Sequence, residues 1–205
     1  MSTSARTTTP SALTAAQRAA VLTVAADAIA AALRTGEHLV VESNPYDPPL
    51  CDPGASFVTL ERGDELLGCI GTLEPVRPLI SDVAHNAVAA AFSDPRLPAI
   101  SRADYAVMAI EVSVLSDLVP MRAVSLADLA RELRPGVDGV VIEAPPARAT
   151  FLPAVWRHFG DDVDAFLTAL WRKAGLPHPS WPVGARCSRY TAEKMVDPGP
   201  RLITT

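Results

Sequence analysis

The sequence predicts an α+β fold, with mainly antiparallel sheets and flanking helices. Two pairs of strand-like runs, 56–60 with 65–72 and 136–143 with 148–152, are each joined by a short turn segment and read as hairpins. Segments with apolar residues at helical spacing separate them, at 14–34, 78–92 and 163–174. The order is helix, hairpin, helix, strand, helix, hairpin, helix, strand, which favours antiparallel pairing.

In detail, residues 1–12 read as a flexible tail. Thr14 and Gln17 form a capping box for a helix that runs to about Arg34, with Leu22, Ala25, Ile29, Ala32 and Leu33 as its stripe and Gly36 as its stop. Four prolines between 44 and 53 exclude a regular element there and leave a long loop that holds Cys51. The first hairpin turns at Arg62-Gly63-Asp64. Strict alternation puts Leu67, Cys69 and Gly71 on one face of its second strand and Leu66, Gly68, Ile70 and Thr72 on the other. Pro78 opens the next helix at an N1-type position. Its stripe is Leu79, Val83, Ala87, Ala90 and Ala91, with His85 and Asn86 off the stripe or at its edge. Asp94-Pro95 ends it, and Arg96 either binds an anion or pins the loop.

The segment 105–116 is expected to be one strand, with Met108, Ile110, Val112 and Val114 on one face and Ala109, Glu111, Ser113 and Leu115 on the other. Glu111 is a carboxylate in an otherwise apolar strand and needs a partner if buried. Ser125 caps a short helix ending at Pro135-Gly136. In the second hairpin Arg148 either faces a cleft or pairs with Glu143. Phe166, Leu167, Leu170 and Trp171 mark a core-facing helix, 184–196 a last strand, and 197–205 a second tail.

The chain has 205 residues, 49% hydrophobic and 20% charged, enough for one large domain or two small lobes around a substantial core. Its net charge of −5 gives no reason to expect nucleic acid or an anionic membrane as partner. No apolar run is expected to reach the ~20 residues of a membrane span. The N-terminal residues lack the apolar region of a secretory signal. Three cysteines, Cys51, Cys69 and Cys187, make an odd and sparse set, so a disulfide framework is not expected and the cytoplasm is the default compartment. Cys-x-x-Cys, His-Glu-x-x-His, P-loop, Gly-x-Gly-x-x-Gly and Gly-x-Ser-x-Gly patterns are all missing, so the sequence calls for no metal site and no cofactor of its own.

The stretch Leu66-Leu67-Gly68-Cys69-Ile70-Gly71-Thr72 sets a thiol between two glycines. With Asp82-Val83-Ala84-His85-Asn86-Ala87, Ala90-Ala91-Phe92-Ser93-Asp94-Pro95-Arg96, Glu111-Val112-Ser113-Val114-Leu115-Ser116, Gly136-Val137-Asp138-Gly139 and Ala149-Thr150-Phe151-Leu152-Pro153, it resembles the AMMECR1 domain family over roughly 14–196. The family signature carries Arg where this chain has Leu67, and Gln where it has Ala154. The resemblance implies a domain over 13–196 of two interleaved subdomains around a cleft. It also implies relatives encoded beside a Memo-like protein and a radical S-adenosylmethionine (radical SAM) enzyme, the AmmeMemoRadiSam system.

Two functional readings follow. In one, the protein binds a small molecule, a peptide or those partner proteins in a cleft edged by Cys69, with Gly68, Gly71, Asn86 and Arg148 as ligand contacts, and any iron–sulfur centre belongs to the partner. In the other, Cys69 is a nucleophile or redox thiol, with His85 as base and Glu111 as acid or orienting group. A thiolate of that kind needs a nearby cation, and Leu67 does not supply one. A purely structural cysteine explains the same residue equally well.

Overall fold

The computed structural model describes residues 12–37 and 39–201, so most of the expected tail 1–12, and 202–205 of the second, lie outside the described residues. In chain order the elements are α1 (Ala15–Thr35), β1 (Pro53–Gly54), β2 (Ser56–Arg62), β3 (Glu65–Gly71), β4 (Arg77–Pro78), α2 (Leu79–Phe92), α3 (Arg102–Val107), β5 (Ala109–Leu115), β6 (Val119–Pro120), α4 (Leu126–Glu132), β7 (Gly139–Ala144), β8 (Ala147–Phe151), a 3-10 helix (Pro153–His158), α5 (Val163–Lys173), β9 (Arg186–Tyr190) and β10 (Ala192–Asp197). They fall into two compact units: one runs up to Leu115 and resumes at Glu193, the other is Ser116–Ala192. The fold class is α+β with antiparallel sheets, as predicted.

In the first unit β2 pairs antiparallel with both β3 and β5, giving a four-stranded sheet in the order β10-β5-β2-β3. Helix α1 begins with the reciprocal Thr14–Gln17 capping box and stops at Gly36, whose φ of 73° is left-handed. Its buried face is Val21, Val24, Ala25, Ala28 and Ile29, which pack with Val83, Ala87 and Ala90 of α2 and with Val58, Ile110 and Val112 of the sheet. By length and composition alone α1 could cross a membrane, against the expectation of no such run. Its alanines raise the mean hydropathy, but the apolar stripe lies in the core of this unit.

Two strand expectations need correction. Residues 105–107 belong to α3, not to a strand: Ser101 and Asp104 form a reciprocal capping box, and the Tyr105 hydroxyl donates to the Ala26 carbonyl of α1 at 3.1 Å. The expected strand over 184–196 is two strands. β9 pairs in the sheet of the second unit and β10 in that of the first, and Thr191 between them exchanges hydrogen bonds with Ser116. Beyond β10, Arg201 donates to Asp197 and to the Met108 carbonyl, so the described part of 197–205 is anchored.

The second unit has a sheet in the order β6-β9-β7-β8, covered by aromatic side chains. Trp156 and Phe166 stack with ring centroids 3.8 Å apart, and Phe151 and Phe159 meet Phe166 edge-on. Asp138 is fully buried. It accepts from the Arg134 backbone N–H and guanidinium, and its own carbonyl accepts from the Trp156 indole at 2.8 Å.

Candidate functional site

The first sheet has two unlike faces. Ser56, Val58 and Leu60 of β2, Gly68 of β3, and Ile110 and Val112 of β5 are buried, and α2 packs on β2 and β3. Gly68 is required there: a Cβ at this position would sit 1.9 Å from the Ala90 carbonyl oxygen of α2. The opposite face carries Phe57, Thr59, Cys69, Gly71 and Glu111, all half-buried, and at one end of β5 the buried Ser113 and Leu115. Gly71 makes room for the Phe57 ring, 2.2 Å from where its Cβ would be. Leu67 departs from strict alternation. The register slips between Leu60 and Glu61, which face Gly68 and Leu66, so Leu67 is the extra residue of a β-bulge. It packs against the core cluster of α1 and α2 instead of sharing the face of Cys69.

Across the open face, Thr59 is the register partner of both Cys69 and Glu111. β3 and β5 are therefore not neighbours, and Glu111 stands two strand spacings from Cys69, roughly 10 Å along the sheet. The Thr59 hydroxyl is within 3.4 Å of the Cys69 sulfur. Glu111 instead pairs with Lys194 of β10, Oε2 to Nζ 2.5 Å. The row Lys194, Glu111, Thr59, Cys69 thus runs across all four strands.

Asp94 and Arg96 close in on Cys69 from the segment after α2. The buried Asp94 carboxylate accepts from the Cys69 backbone N–H at 3.0 Å and from the Arg96 guanidinium at 2.7 and 2.9 Å; Arg96 also donates to the Cys69 carbonyl at 3.1 Å. Hydrogen bonding to Arg96 holds the Asp94 carboxyl well below the usual carboxylate range. Its contribution to stability is therefore complete above that range and is lost only in strong acid, as the pH falls through the depressed value. The Arg96 guanidinium is held above its ordinary value by its hydrogen bond to Asp94, with smaller contributions from the Asp94 charge and from Cys69, all opposed by burial. Arg96 pins the loop, the second of its two expected roles.

Asn86 lies on the buried face of α2, at 1% exposure, not at the edge of the stripe. Its amide donates within a closed knot to Ser56 O (3.0 Å), Thr72 Oγ1 (3.2 Å) and Asp82 Oδ2 (2.8 Å). Asp82, at 0% exposure, also accepts from the Ser56 backbone N–H at 2.9 Å and hydroxyl at 2.8 Å, and from Thr72 Oγ1. The knot ties the start of β2, the end of β3 and the first turns of α2 together. Arg148 lies in the second unit, on β8, where it pairs with Glu143 at 3.1 Å. His85 is exposed, and among the described residues no cluster of His, Cys, Asp and Glu is arranged to hold a metal.

All three cysteines are free thiols. Cys187 is 2% exposed, and burial pushes its thiol up to about 12. At pH 8 only about one such thiol in ten thousand is ionised. Alkylation followed by peptide mass spectrometry should therefore label Cys187 only in denaturant, while the half-buried Cys51 and Cys69 react in the native protein.

Sequence reasoning passed over Asp82, Thr59 and Asp94 as site neighbours. For Asp82 the signal was present, since Leu79, Asp82, Val83, Asn86 and Ala90 share one helical face. For Thr59 and Asp94 it was absent, because both act through strand register and loop path.

With this geometry in view, one family model, two relatives and one solved structure can be set beside the chain. The sequence model of the AMMECR1 family matches residues 22–195. A protein of Methanothermobacter thermautotrophicus is 43% identical over 121 residues, 59% of this chain and 63% of that protein. One from Aeropyrum pernix is 38% identical over 166 residues, 79% of this chain and 70% of its own length. The crystal structure of the uncharacterized protein PH0010 from Pyrococcus horikoshii superposes with a TM-score of 0.80 at 30% identity, covering 88% of this chain and 91% of that one.

Proposed function

The chain belongs to the AMMECR1 family, and on that premise we propose that it is a binding component rather than a catalyst, presenting the open face of its first sheet to a partner protein. The supporting observation is the row Lys194, Glu111, Thr59, Cys69: a polar strip across the sheet, half-buried except at the exposed Lys194, with Glu111 engaged by Lys194 and two strand spacings from the thiol. The proposed partners are the Memo-like and radical SAM proteins of the same cell, in the cytoplasm, with cofactor chemistry on their side. Thr59→Arg inserts a long charged side chain into the middle of the strip. It should weaken binding to such a partner at least tenfold, about 1.4 kcal/mol, in a calorimetric titration while the circular dichroism melt stays in place. Unchanged affinity would remove this face from the interface, and no binding by the native chain would remove these partners.

A second reading, Cys69 as nucleophile or redox thiol, is favoured by one observation. Arg96 supplies beside Cys69 the cation that Leu67 does not. With Cys51 changed to Ser, a fast Cys69 alkylation rate that is already level below neutral pH would bring this reading forward. A rate still climbing through alkaline pH would dismiss it.

A further inference from the structure

The contacts of Asp94 and Arg96 with Cys69 are made on the free edge of the sheet. Thr72 N–H donates to the Ser56 carbonyl at 2.9 Å, which sets the parity of the β2–β3 ladder. From there Val58–Ile70 and Leu60–Gly68 are the hydrogen-bonded pairs, and Phe57–Gly71 and Thr59–Cys69 are not. The N–H and C=O of Cys69 therefore point away from β2. β3 is the last strand of its sheet, so both groups point out of the edge. An added strand would offer that N–H a carbonyl and that carbonyl an N–H. The Asp94 carboxylate and the Arg96 guanidinium offer the same acceptor and donor, at 3.0 and 3.1 Å. The Arg96 side chain is 59% exposed, so this edge lies at the surface of the protein.

Exposed edges pair with other strands unless something blocks them, most often Lys, Pro or a bulge. β3 reads Glu-Leu-Leu-Gly-Cys-Ile-Gly, with neither Lys nor Pro, and its bulge is at Leu67. We propose that the Asp94–Arg96 fork is an edge cap, filling with side-chain atoms the site where β3 of a second copy of this chain would pair. A second copy is the occupant because two identical strands running antiparallel present matching donors and acceptors to each other, and because each copy is present at the chain's own concentration.

The test compares the native chain with Asp94→Ala/Arg96→Ala under reducing conditions. Light scattering reads the mass over a concentration series, and hydrogen exchange reads the Cys69 amide. In the native chain the amide, bonded to Asp94, should be protected at every concentration. In the double variant the mass should rise toward twice the native value as concentration rises, and the Cys69 amide, fast-exchanging when dilute, should become protected in step. A mass that never departs from the native value overturns the proposal, as does association that leaves the Cys69 amide exchanging freely. Arg96→Ala alone keeps the Asp94 turn and is judged by the same mass criteria should the double variant not fold.

Discussion

Asp82→Ala should destabilise the first unit by about 3–5 kcal/mol, read as a lower urea midpoint in far-UV circular dichroism. The carboxylate is fully buried and accepts from a backbone N–H, two hydroxyls and an amide. Removing it leaves the Ser56 N–H and the Asn86 amide without their best acceptor, at about 1–3 kcal/mol for each buried donor left unpaired. Arg77 is the cation near it, 3.7 Å away and a third exposed, so hydrogen bonds do most of the stabilising. Asp82→Asn keeps the shape and one acceptor oxygen and should lose less than the alanine variant. A loss below about 1 kcal/mol for Asp82→Ala would mean that water or a rotated hydroxyl replaces the carboxylate, and that the knot does not hold β2, β3 and α2 together.

What the sequence revealed follows from how local each signal is. The α1 capping box, the Gly63 turn, the Ser125 cap and the aromatic spacing of α5 are short-range patterns, and all are found where they were expected. The strand expected over 105–116 failed at its start because a four-residue capping box outweighed the β-propensity of Tyr105 and Val107. The run 184–196 was read as one strand because periodicity cannot show that a chain leaves one sheet for another between Tyr190 and Ala192. The site follows the same division. Alternation placed Cys69 and Glu111 on their faces, but which strand lies between them is a property of the sheet order. The bulge that turns Leu67 toward the helices breaks the alternation used to place it. Asn86 and Gly68 were legible as special residues; that both serve packing of α2 on the sheet depends on contacts more than ten residues apart in sequence.

The two glycines around Cys69 should respond very differently to alanine, because what meets the new methyl group differs. At Gly68 the Cβ would lie 1.9 Å from the Ala90 carbonyl oxygen and 2.8 Å from its carbon, both backbone atoms within α2. A helix backbone packed against both α1 and the sheet cannot yield locally, so α2 must move as a body. Gly68→Ala should cost roughly 3 kcal/mol or more, at or above the upper end for overpacked cores. At Gly71 the Cβ would meet the Phe57 ring at 2.2 Å, but that ring is a side chain on the half-buried face and can rotate. Gly71→Ala should cost about 1–2 kcal/mol, within the usual range for a core that can adjust. Urea unfolding by circular dichroism measures both. Tryptophan fluorescence serves as the internal reference, since Trp156, Trp171 and Trp181 all lie in the second unit. Equal losses at the two positions would mean that α2 gives way as readily as a phenyl ring, and that the close approach of α2 to β3 is not what requires glycine at 68.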